Sequence, residues 1–148
     1  AAKTFAALTY IIPGMPMIYN GQEAGLDKRL AFFEKDSIPW GNIPLQNFYT
    51  KLNVLKENNE ALWNGNFGGS YSRINSENNT DIYALLRQKG DEKVMAVFNL
   101  SGEEKNANLM GELHYGEYYD VFTNNKILID EDTSLVLAPW DYVILYKK

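Results

Sequence analysis

No cysteine occurs among the 148 residues, which excludes disulfides, thiolate metal sites and cysteine nucleophiles. A single histidine, His114, is present. It has no partner at ligand spacing, so a surface or half-buried histidine is expected there rather than a zinc ligand. Basic residues are outnumbered, 14 Lys and Arg against 19 Asp and Glu, for a net charge of −5. That balance argues against a nucleic-acid partner, which would require a basic stripe or patch. No apolar run approaches the roughly 20 residues needed to cross a bilayer, so no membrane partner is expected. A signal peptide is also absent, but the chain opens Ala1-Ala2-Lys3 without an initiator methionine. That start reads as trimmed and leaves the compartment open, an extracytoplasmic one included. Neither a nucleophile elbow, a phosphate loop nor a dinucleotide fingerprint occurs, and no cofactor is expected. Repeats and low-complexity tracts are lacking too.

What remains is ordinary globular composition, 45% hydrophobic and 22% charged, with a change of character near residue 65. Before it, Phe5, Leu8 and Ile12 share one face of a helix that Pro13-Gly14 stops. Met15 to Tyr19 is a short apolar run between Pro-Gly and Asn-Gly, which predicts a strand buried on both faces. Residues 20–43 read as a long irregular connection. A second amphipathic helix is predicted over 44–58, marked by Leu45, Phe48, Tyr49, Leu52 and Leu55. After Asn64-Gly65-Asn66 and Gly68-Gly69 the hydrophobic period shifts to two. Strands are expected over 70–75, 81–88, 93–99, 105–109, 118–122, 126–129, 134–137 and 142–146, in an antiparallel sandwich. The sandwich could bury a core of its own, whereas one doubly buried strand needs parallel neighbours.

The run Pro13-Gly14-Met15-Pro16-Met17-Ile18-Tyr19-Asn20-Gly21-Gln22-Glu23-Ala24-Gly25, set between two helices, resembles the last β/α unit of the alpha-amylase family barrel. Lys28-Arg29 and Ile38-Pro39-Trp40 follow where members of that family carry an Arg and a Trp. Phe48-Tyr49-x-Lys51-Leu52 with Asn58-x-x-Ala61-Leu62 is similar to the final barrel helix. Leu137-Ala138-Pro139-Trp140-x-Tyr142 resembles the last strand of the family's C-terminal β-domain. The resemblance implies an α+β fragment: N-terminal helices and one strand from a (β/α)8 barrel over 1–65, then an antiparallel β-sandwich domain over 66–148. It implies a parent glycosidase acting on α-glucosidic bonds of starch-like or maltooligosaccharide substrates, with the rest of the barrel and the α-glucan as partners.

Retaining glycosidases need two carboxylates about 5 Å apart. In this family they come from earlier barrel strands, and the Asn-His-Asp pattern is absent here, so the resemblance carries no catalytic residue onto this chain. Barrel sites form at the C-terminal strand ends, which makes Glu23 and Arg29 candidate substrate contacts at the rim. Glu23 and its neighbouring glycines could equally serve only to shape the loop. Asp27, Glu34 and Asp36 read as solvated charges among Lys28, Arg29 and Lys35, and Asp130-Glu131-Asp132 as a hairpin tip without the alternating ligands of a calcium loop. No metal site is expected. The alternative reading is a non-catalytic carbohydrate-binding β-module that stacks sugars on exposed aromatics, with Trp63 and Trp140 as the candidates. Tyr71, Tyr115, Tyr118 and Tyr119 are further candidates, although most aromatics are expected in the core or at its junctions, and alternation turns one ring of Tyr118-Tyr119 inward and the other outward. Asn78-Asn79-Thr80 and Asn99-Leu100-Ser101 match the glycosylation sequon.

Overall fold

The computed structural model describes residues 1–147. Two helices, α1 (Ala2–Ile11) and α2 (Gln46–Asn58), precede eight strands. These are β1 (Ser70–Ile74), β2 (Ile82–Lys89), β3 (Glu92–Asn99), β4 (Lys105–Asn108), β5 (Gly116–Asp120), β6 (Lys126–Ile129), β7 (Ser134–Leu137) and β8 (Tyr142–Tyr146). All pairings are antiparallel, in a six-stranded sheet of order β1-β2-β3-β8-β5-β6 and a two-stranded sheet of β4 and β7. The α+β class and all eight expected strands are therefore observed.

Strand alternation explains the layering. Leu85, Val94, Ala96, Phe98 and Ile144 point to one face of the large sheet, where Ala7, Tyr10, Ile11, Phe48, Tyr49, Leu52 and Leu55 of the helices cover them. Ala84, Leu86, Met95, Val97 and Leu145 point to the other face, against Ala107 of β4 and Leu137 of β7. Because side chains alternate with period two, β2, β3 and β8 must be apolar at successive positions to fill both layers. The sequence of β3, with Val94 to Phe98 all fully buried, does this.

Three expectations need correction. The buried stripe of α1 is Thr4, Ala7 and Ile11 with Tyr10, while Phe5 is 48% exposed. Small residues at positions 4 and 7 let the helix approach the sheet closely, so the face predicted from Phe5, Leu8 and Ile12 is rotated to one side of the contact. Residues 15–19 form no strand, and Met15 and Met17 are 83% and 77% exposed. Strand geometry is sustained by hydrogen-bonded neighbours on its edges, and no described strand lies beside this segment. Finally, 130–133 is not a hairpin tip. β6 and β7 belong to different sheets, and the turn carries the chain from one layer to the other.

Candidate functional site

The segment after α1 turns sharply at Gly21, whose φ is +95°. Leu26 N–H returns to Gly21 O at 3.1 Å, and Gln22 N–H reaches Tyr19 O at 2.9 Å. Position 21 is thus a left-handed turn residue that glycine occupies without strain. Glu23 follows, half-buried, and its carbonyl accepts Leu45 N–H at 3.1 Å, joining the loop to the start of α2. Its carboxylate faces Tyr10 and Tyr49. Burial raises both phenol pKa values; at Tyr49 the Glu23 charge adds to it, and at Tyr10 first Tyr49 and then Glu23 do so. Tyr10 donates to Asn53 Oδ1 at 2.7 Å, which links α1 to α2 beneath the loop.

Arg29 is exposed on a loop organised by Asp36. That carboxylate receives Lys28 Nζ at 2.6 Å and the amides of Ala31 at 3.0 Å and Ser37 at 2.7 Å. These bonds, the lysine first, hold its pKa down at about 2. The loop displays Phe32 and Phe33 at 84% and 94% exposure. Asp36 is therefore a loop organiser rather than a freely solvated charge.

The two tryptophan candidates lie apart. Trp63 is partly exposed, donates Nε1–H to Glu57 O at 3.1 Å and has Lys89 Nζ 5.5 Å from its ring centre. Trp140 is half-buried at the other end of β3, its ring 6.0 Å from Phe5. Its backbone is left-handed, φ +57°, an uncommon state for a bulky residue. The N–H bond to Ser101 O at 3.0 Å and the Thr4 hydroxyl donated to Trp140 O hold it there. Tyr118 is buried and Tyr119 is half-buried, following the expected alternation. Burial pushes the Tyr118 phenol up to about 12. No cluster of three His, Asp or Glu side chains among the described residues is arranged to hold a metal ion.

Residues 71–144 match the family model described as "Maltogenic Amylase, C-terminal domain". The chain belongs to that family. Among related proteins, alpha-amylase 2 of Dictyoglomus thermophilum is 26% identical over 93% of this chain and 24% of its own length. Oligo-1,6-glucosidase of Bacillus cereus is 29% identical over 91% of the chain and 22% of its own length. The chain thus spans about a quarter of the length of these two relatives. A maltogenic alpha-amylase structure from Thermotoga neapolitana superposes with a TM-score of 0.79 at 18% identity, covering 98% of this chain and 36% of that one. An Anoxybacillus alpha-amylase gives 0.72 at 20% identity, over 98% and 31% respectively. At such identities the structural likeness is one of fold.

In this maltogenic amylase C-terminal domain and the helices before it, Arg87 and Asn99 organise the core, a role that sequence reasoning passed over. Arg87, 2% exposed, donates to Ile11 O at 3.1 Å and to Trp63 O and Gly69 O at 3.3 Å. Asn99, fully buried, donates to Glu103 O, Leu137 O and Ala138 O at 2.7, 3.2 and 2.9 Å, clasping two turns together. Asn99 and Asn78 are sequon positions, but both side chains are committed internally, Asn78 to Asp81 at 3.2 Å. His114 is buried at 1% exposure rather than at the surface, with Nδ1 unpartnered. Burial, then the charge of Lys93, lowers its pKa. A charged residue two positions after Leu85, on the same inward face of β2, was the available signal for Arg87. Nothing in the sequence distinguishes a buried Asn or His from an exposed one.

Proposed function

We propose that the chain is a non-catalytic C-terminal portion of an α-amylase-type glycosidase that acts on α-glucosidic bonds of starch-like or maltooligosaccharide substrates. Residues 1–65 complete the catalytic (β/α)8 barrel and 66–148 form its C-terminal β-domain. The observation that carries this reading is the likeness across 93% of the chain to an alpha-amylase of which it spans only 24%. The apolar residues 15–19, with Met15 and Met17 exposed, support it, since a barrel strand is flanked by neighbours on both edges and covered on both faces. The remaining barrel is the partner that covers them. Hydrolysis belongs to carboxylates on its other strands, working as a retaining pair. Within this chain Arg29, exposed on the Asp36-organised loop, makes the substrate contact at the rim. Glu23 shapes the loop through Leu45 and borders the same rim.

Turnover of a chromogenic maltooligosaccharide tests this. The full-length parent hydrolyses it with retention of anomeric configuration, and the isolated chain gives none. Turnover by the isolated chain would overturn the assignment.

A further inference from the structure

Helix α2 and the end of β8 diverge around a cleft of about 380 Å3, within the range of small-molecule sites. Its apolar wall is Val54 and Leu55 of α2 with Val121 from the turn after β5, and Tyr146 contributes an aromatic ring. Its polar groups lie where α2 ends. Asn59 is 5% exposed, and its Oδ1 accepts Ala61 N–H at 3.1 Å. Its Nδ2 has no hydrogen-bond partner among the described residues. Asn59 lines the cleft, and its unpaired, solvent-reachable amide donor is a group to which a ligand acceptor can bond in place of water. Asn58 uses Nδ2 on Val54 O at 2.9 Å and keeps its carbonyl oxygen open. Glu92 gives one carboxylate oxygen to Glu60 N–H and keeps the other.

These features specify a ligand with apolar C–H faces and neutral groups that both donate and accept hydrogen bonds. The opposite charges of Glu92 and Lys147 at the lining favour no ionic ligand, and Lys51 is occupied by Phe122 O. We propose that this cleft binds a glucosyl unit of an α-glucan chain, stacked on Tyr146 and hydrogen-bonded by Asn58, Asn59 and Glu92. The identity of the sugar rests on the parent acting on α-glucans, but the cleft is separate from Arg29, Trp63 and Trp140.

The test is titration of the isotope-labelled full chain with maltotriose, followed by amide chemical shifts, with cellotriose as control. Saturable shifts are expected at residues 54, 58, 59 and 146 with maltotriose only. Affinity should fall about tenfold in Asn58→Ala, the loss of roughly one hydrogen bond. It should vanish in Val54→Trp, where a half-exposed position allows the ring to fill the mouth without disturbing the core. Both variants should keep the parent's circular dichroism. No saturable binding, shifts centred on Trp63 or Trp140, unchanged binding by Val54→Trp, or an equal response to cellotriose would each overturn the proposal. Activity of the full-length enzyme separates the two readings. Maltooligosaccharide hydrolysis alongside an inert cleft retires only the cleft, whereas a parent inactive on every α-glucan retires the function proposed above.

Discussion

Arg87 is a cation from the sheet placed at the end of a helix. α1 has no basic residue in its last turn, and its final carbonyl, Ile11 O, would otherwise be an unmet acceptor at the negative end of the helix dipole. The guanidinium fills that role and binds Trp63 O and Gly69 O with its second nitrogen, so one side chain fastens α1, the turn after α2 and the start of β1. Arg87→Met keeps most of the volume but strands three carbonyls, and should cost about 3 kcal/mol. Urea unfolding monitored by tryptophan fluorescence measures it, and a loss below about 1 kcal/mol would contradict the fastening role. His114 makes a different prediction. Its folded pKa lies below the free value of about 6.5, so at acid pH the unfolded chain takes up a proton that the folded one resists. Stability is therefore lost as pH falls from about 6.5 toward the folded pKa, and it is flat above that window. Between pH 7.5 and 5.5 the wild type should lose more unfolding free energy than His114→Gln, while the carboxylates contribute equally to both. Parallel pH profiles would remove His114 from the acid response.

Elements were legible wherever one periodicity dominated. The outer strands follow alternation, the central β2, β3 and β8 are continuous apolar runs between turn residues, and α2 follows Phe48, Tyr49, Leu52 and Leu55, because burial leaves its pattern in the sequence. The face of α1 was misread because its closest contacts are Thr4 and Ala7, whose small size is what permits the approach and which register weakly as hydrophobic. Residues 15–19 have the composition of a central strand, yet strandedness depends on neighbours that composition does not contain. The candidate site was less legible still. The Gly21 turn and Glu23 could be found by motif, whereas the open amide of Asn59 depends on how α2 meets β8. The junction between helices and sheet also depends on a close approach. A Cβ on Gly69 would lie 2.4 Å from Gln88 O and 2.9 Å from Ala61 Cα, both backbone atoms. Gly69→Ala should push the turn after α2 off the sheet and cost more than about 2 kcal/mol. Gly90→Ala offers the comparison, because its φ is +57° with nothing within 4 Å. It bears only the left-handed penalty of about 1–2 kcal/mol. Thermal unfolding of the pair should rank Gly69→Ala as the worse, and the reverse order would mean that the junction yields easily.

At the scale of the molecule, apolar surface is distributed unevenly. The large sheet is covered on both faces, by the helices on one and by β4 and β7 on the other. Between the two helices, by contrast, Met15, Met17, Phe32 and Phe33 are each more than 75% exposed. Exposed apolar groups concentrated in one stretch of chain mark a surface that associates. In the assembled glycosidase proposed here that association is with the rest of the barrel, but in the isolated chain it has no partner except another copy. The isolated chain should therefore self-associate as its concentration rises and should bind a hydrophobic dye, both measurable by analytical ultracentrifugation and fluorescence. Replacing Met15, Met17, Phe32 and Phe33 together by serine should give a monomer with little dye binding. Since none of the four belongs to either core, its unfolding free energy should stay within about 0.5 kcal/mol of the monomeric wild type, as expected for exposed positions. The same four substitutions in the full-length enzyme should instead weaken the joint between this chain and the barrel, lowering Tm and activity together. A full-length variant as stable and active as the wild type would show that these side chains face solvent in the parent as well, and the barrel assignment of residues 1–65 would have to be withdrawn.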